Sequence, residues 1–163
     1  MNKINTYLNI GVSRKINYLK NYKSIDDEKI VEDNLYYYIY NDLDIVFSYL
    51  YISPSKYGYR YWKDAIFLYI ESDNLQVSIC NDIYPMIAEK YNKSSNSVER
   101  AMRLCFQDAL YYCSKNEDNF IMRFLRNYLT YPRNSEIMAK ISEILISKEF
   151  QNAKFKLLKS FNS

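Results

Sequence analysis

Two glycines and three prolines in 163 residues leave this chain few ways to turn sharply. Tight hairpins draw heavily on Gly for their positive-φ positions, and no run of alternating apolar and polar residues with such turns is present. Helical spacing dominates instead, with apolar residues recurring at three and four. The expected fold class is all-α, a compact multi-helix domain in which each Gly or Pro acts as punctuation. With only Gly11 and Gly58 available, no Gly-rich phosphate loop can form.

The same composition narrows the chemistry. There is no histidine, so the commonest general base and the usual metal ligand are both missing. Three cysteines, Cys80, Cys105 and Cys113, fall short of a four-thiolate zinc site and carry no CxxC spacing. No carboxylate pair stands out as a catalytic dyad. The expectation is a protein that is not an enzyme and needs no cofactor or metal. An odd cysteine count and an N-terminus without an apolar signal core point to the cytoplasm. No stretch reaches about 18 uninterrupted apolar residues, so no membrane span is expected. Hydrophobic residues at 48% and charged residues at 25% suit a globular chain that buries its own core. Charge is uneven: residues 1–50 carry six Lys/Arg against seven Asp/Glu, and residues 51–163 carry 16 against 12. The basic excess of the later part is compatible with a polyanionic partner, although many domains of that charge bind none. The 19 tyrosines, including the run Leu35-Tyr36-Tyr37-Tyr38-Ile39-Tyr40, read first as core and half-buried surface.

Along the chain, residues 3–22 predict a first helix, interrupted or started near Gly11. Ser24 before Asp27 and Glu28 marks a second helix start, with acids in its first turn. That helix is expected to run to about Tyr51, with Ile30, Val31, Leu35, Tyr38, Ile39, Asp42 and Val46 on one face and Asp42 as the discordant member. Pro54 and Gly58 mark a break. Tyr61, Trp62, Ala65, Ile66 and Tyr69 then define an amphipathic helix over 59–70. Further segments are expected at Val77–Tyr84, Pro85–Tyr91, Asn96–Cys113 and Asp118–Tyr128. A last helix carries Ile137, Ile141, Ile144 and Leu145, followed by a basic tail with Lys154, Lys156 and Lys159.

Residues 85–113 have the outline of a helix-turn-helix: a short helix PMIAEKY, the polar turn Asn92-Lys93-Ser94-Ser95, and a longer helix beginning NSVERAMRLCF. Pro85 suits a first helical position, and Asn96 with Glu99 has capping-box spacing. Val98, Ala101, Met102, Cys105 and Ala109 form an inward stripe. Asn96, Glu99, Arg100, Arg103 and Gln107 project from the other side. Arg can donate twice to guanine, and Glu can accept from cytosine, so Glu99, Arg100 and Arg103 are the candidate base-contacting residues. Lys90, Lys93, Ser94, Ser95, Asn96 and Ser97 are the candidate backbone-contacting residues around the helix start. The same spacing also fits a plain solvated Glu99–Arg103 pair, four residues apart.

From Pro54 to Ile146 the chain resembles the C-terminal DNA-binding effector domain of the stage-zero sporulation response regulator. The resemblance rests on YGYRYWKDAI at 57–66, IYPMIAEKYNKSSNSVERAMR at 83–103 and YPRNSEIMAKISEIL at 131–145. It implies a helical effector domain that binds a short AT-rich duplex site. It also implies base reading through the positions of Glu99, Arg100 and Arg103. Ser97 and Leu104 depart from the basic and polar residues usual in the family, and Ser114–Arg126 is not closely similar. A phosphorylatable receiver needs about 120 residues, an ordinary domain size, whereas about 50 precede the match, so that switch is expected to be absent.

The organisation expected is a helical extension over 1–52, a helix-turn-helix domain over 53–150 and a basic tail over 151–163. The function expected is sequence-specific binding of double-stranded DNA by a transcription regulator, with residues 96–113 in the major groove. RNA polymerase and a second copy of the chain are further partners this reading allows. The alternative is a helical module that keeps the fold, has lost DNA binding and pairs with another regulator.

Overall fold

A computed structural model describes residues 14–22, 24–72, 76–115, 121 and 132–162, with the backbone alone at 110 and 112–115. The described residues are helical without a strand. A helical segment at 14–19 leads to α1 (Ile25–Asp33), α2 (Leu35–Tyr49) and α3 (Tyr57–Glu71). A π-helical turn (Ile79–Ile83) runs directly into α4 (Tyr84–Tyr91). Then follow α5 (Ser95–Lys115), α6 (Asn134–Ile146) and α7 (Lys148–Phe161). The expected helix at 118–128 and the residues before Arg14 lie outside the described residues, apart from buried Ile121.

The architecture is organised around α3, which packs against α2, α4, α5 and α6. Trp62 lies at its centre, fully buried, with its indole N–H donating to the carbonyl of Met102 at 2.8 Å. Its ring meets Phe106 edge-on, with centroids 4.7 Å apart. Buried side chains from Tyr18 to Phe150 form one continuous core, so the N-terminal helices share their interior with the helix-turn-helix.

Several local expectations change. The single helix expected from Ser24 to Tyr51 is two. Ser24 caps α1 as expected, accepting from the Asp27 backbone N–H. Asn34 then leaves helical geometry (φ −123°, ψ 30°), and its side chain donates back to the carbonyl of Ile30. Asn satisfies the backbone locally in this way, which is why it ends helices. Ile30, placed on the buried face by periodicity, is exposed. Gly58 marks no break: it lies within the first turn of α3.

The segment expected as a basic tail is mostly helix. Ser147 caps α7 by accepting from Phe150 N–H, and Phe150, Gln151 and Lys154 are buried. Lys154 extends inward to Asp42, with Nζ at 3.1 Å from Oδ1. Tyr18 donates its hydroxyl to the other carboxylate oxygen at 2.7 Å. Burial pushes the Asp42 carboxyl up, and the Lys154 ammonium and Tyr18 hydroxyl pull it partly back. The acid that broke the apolar face of α2 is thus half of a buried ion pair.

Candidate functional site

The helix-turn-helix is assembled by short-range backbone chemistry. Pro85 falls in the first turn of α4, where no intrahelical donor is needed. Asn92 ends the helix in the left-handed region (φ 52°, ψ 53°), and Lys93 N–H bonds back to the Ala88 carbonyl at 2.9 Å. Asn tolerates that conformation better than most side chains. The next helix starts at once. Ser94 is its cap: the hydroxyl accepts from Ser97 N–H at 3.1 Å, and the carbonyl accepts from Val98 N–H. Asn96 therefore lies inside the first turn, and the capping box expected of Asn96 and Glu99 does not form.

One side of α5 is locked inward. Val98, Met102, Cys105 and Ala109 are all buried, and Ala101 is half-buried. Gly58 allows this approach: a β-carbon there would collide with the Ala101 carbonyl and lie 2.7 Å from the Cys105 β-carbon. From α6, the Asn134 amide donates to the Tyr84 hydroxyl at 2.9 Å and to the Glu99 carbonyl at 3.3 Å. One side chain thereby joins the first helix of the motif to the second. Its residue class was visible in the sequence; its role was not, because its partners are 35 and 50 residues away.

The other side of α5 faces solvent. Arg100 is exposed, with no hydrogen bond or ion pair among the described residues. Arg103 donates through Nε to Glu99 Oε1 at 3.1 Å, and the two side chains remain 52% and 40% exposed. Such an exposed pair contributes only about 0.3–0.5 kcal/mol, so a base edge can replace either partner at low cost. Asn96, Ser97 and Gln107 are exposed on the same helix. Beside Glu99 and Arg103 opens a cleft of about 790 Å³, whose far wall includes Arg133 at the start of α6. Spacing on α5 gave no hint of Arg133, which comes from another helix.

The candidate backbone contacts divide. Lys93, Ser94 and Ser97 are exposed at the turn, and Ser95 is half-buried. Lys90 is partly committed elsewhere: its ammonium lies 3.0 Å from Asp64 Oδ2, on a carboxylate that also accepts from the Tyr91 hydroxyl at 2.7 Å. Asp64 is buried within α3, so Lys90 ties the motif to its support while half its side chain stays in water.

Residues 44–145 match the protein family described as Sporulation initiation factor Spo0A C terminal. The chain belongs to that family. It is a family of DNA-binding regulatory domains, and not of enzymes. No solved structure matches the chain. The family stretch takes in α3 to α5, all but the last residue of α6 and only the last six residues of α2, and so contains the whole helix-turn-helix together with the helix that supports it. The segment at 14–22 and α7 lie outside it, as does Asp42. Among the described residues no helix is long and apolar enough to cross a membrane, and no cluster of metal-ligating side chains occurs.

Proposed function

We propose that this protein is a sequence-specific binder of double-stranded DNA that regulates transcription, with α5 entering the major groove. One observation carries the reading. Glu99, Arg100 and Arg103 project into water from the first turns of a helix whose opposite stripe is fixed in the core. Residues near the N-terminus of such a helix are the ones that reach base edges. Arg100, without a hydrogen bond or ion pair among the described residues, is suited to donate twice to guanine O6 and N7. Arg103 and Glu99 exchange their mutual pair for bases, Glu99 accepting from a cytosine amino group.

Phosphate contacts fall to the turn. The hydroxyls of Ser94, Ser95 and Ser97, the Asn96 amide and the first backbone N–H groups of α5 suit an oxyanion. Lys93 adds an exposed charge, Lys90 a partly neutralised one, and Arg133 a third from across the cleft. The site is an AT-rich box containing G·C pairs for the two arginines. RNA polymerase contact and pairing of two copies on adjacent boxes complete the proposal.

Selection of bound duplexes from a random pool, followed by titration of the winning sequence, tests it. Binding is expected to weaken steeply with salt, as phosphate-contacting proteins do. Arg100→Ala is expected to cost about 1–3 kcal/mol and to relax preference at one base pair. Retained discrimination after Arg100→Ala would overturn the role given to that residue. If no sequence is enriched, the reading fails as a whole and leaves a pairing module built on the exposed tyrosines of α2.

A further inference from the structure

A second basic site lies away from the reading face. Lys20, from the N-terminal segment, meets Lys148, Lys156 and Lys159 of α7 around a cleft of about 540 Å³. Among the described residues no carboxylate lines it; the other walls are Asn21, Gln151, Asn152 and Phe155. None of the four lysines has an ion-pair partner among the described residues. Several other cations do, such as Lys15 with Glu32, Lys63 with Asp44 and Lys154 with Asp42. Bringing four ammonium groups to one concavity raises its potential, and clefts focus such fields.

Two further features distinguish this place from a merely solvated lysine face. The cleft is held rigidly: Asn21 donates to the Ile146 carbonyl at 3.0 Å, fixing the N-terminal wall to the α6–α7 junction. Gln151, 3% exposed, donates to the Leu145 carbonyl at 2.9 Å and fixes the α7 side of the cleft to the end of α6. Phe155 adds a partly exposed aromatic ring to the wall. The volume is that of a small-molecule site.

We infer that this cleft binds a small, soluble polyphosphorylated anion, independently of DNA. The lysines supply charge-assisted donors to phosphate oxygens. Phe155 offers a face for a base, so the anion is either an inorganic polyphosphate or a nucleotide carrying one. Both walls, 20–21 and 148–159, fall outside the family stretch 44–145, so the site is an addition to the regulatory domain and not part of its reading surface.

Calorimetric titration of the full chain with inorganic tripolyphosphate, and separately with ATP, tests this. One saturable site per chain is expected, with a rise in melting temperature as ligand is added. The Lys156→Glu/Lys159→Glu double variant should weaken binding by at least about tenfold, since it reverses two charges at the site. Arg100→Ala should leave it unchanged. A tighter ATP complex whose advantage disappears in Phe155→Ala identifies a nucleotide; equal affinities identify the bare polyphosphate. The double variant should keep the wild-type salt slope for the selected duplex. A shallower slope would mean that the lysines contact DNA phosphate instead, and would overturn the inference. Absence of saturable binding, or equal binding of sulfate at matched ionic strength, would overturn it too.

Discussion

At Gly58 one added carbon would decide where α5 sits. The methyl of an alanine would overlap the Ala101 carbonyl and press on Cys105, and neither is the end of a flexible side chain. Alanine favours a helix over glycine by about 1 kcal/mol. Overpacking of this kind costs about 1–3 kcal/mol or more, so the collision outweighs the gain. Gly58→Ala is expected to lower the melting temperature by several degrees and to weaken DNA binding through the shift of α5; an unchanged melting temperature would contradict the close approach. Cys105, on the other side of that contact, is pushed up to about 11 by burial, with Lys56 pulling back and Asp108 adding to the rise. The folded thiol therefore stays protonated where the unfolded one ionises. Its contribution to stability is full below the ordinary value of 9.0 and is lost as pH climbs through about 11. Cys105→Ala should flatten the alkaline loss of stability, measured by urea unfolding across that range. A thiol reagent should modify exposed Cys80 in the native protein and Cys105 only after unfolding, as read by peptide mapping. The sequence placed Cys105 in the core because it lies on the Val98–Met102–Ala109 stripe. It could not disclose Gly58, whose scarcity suggested punctuation while its use is contact between two helices.

Among elements, the position of the reading face depends on a helix that never touches it from the front. Asn134 opens α6 and holds both Tyr84 and Glu99. Asn134→Ala removes both bonds and strands a buried hydroxyl, a loss of about 1–3 kcal/mol. Faster amide exchange in the first turns of α5 and weaker binding to the selected duplex are expected, with base preference retained. Exchange rates unaltered in α5 would show that the clamp is idle. Periodicity located α3, α4, α5 and α6 well because each has a strong apolar stripe and a polar or proline-marked start. It failed at Asn34, where a local side-chain bond overrides a continuous apolar face. It failed again at α7, where Lys154, Lys156 and Lys159 suggested a solvated tail. The spacing Phe150, Lys154, Leu157 and Phe161 behind Ser147 was the available helix signal, hidden because a buried lysine stands on the apolar side.

For the whole molecule, the Asp42–Lys154 pair joins chain segments 112 residues apart, both outside the family stretch. Removing one partner leaves a buried charge without its counterpart and is expected to cost about 3–5 kcal/mol; replacing both by apolar residues restores most of it. Lys154→Met should lower the urea midpoint far more than Asp42→Leu/Lys154→Met does. Equal losses in the single and double variants would mean the flanks are held by apolar packing alone. Neither member of the pair could be matched from sequence, since a buried salt bridge leaves no periodic trace in either helix. The exposed basic edge of α5 was legible because spacing and family resemblance converged on the same residues. Its exposure among the described residues, α1 and α2 included, is a fact of the fold.

The central claim, that this edge meets the duplex, is tested most directly by backbone amide chemical-shift mapping of the full chain titrated with its selected duplex. The largest changes should fall on residues 93–107, with smaller ones near Arg133. Changes confined to the N-terminal helices and α7, with residues 96–103 unperturbed, would contradict it.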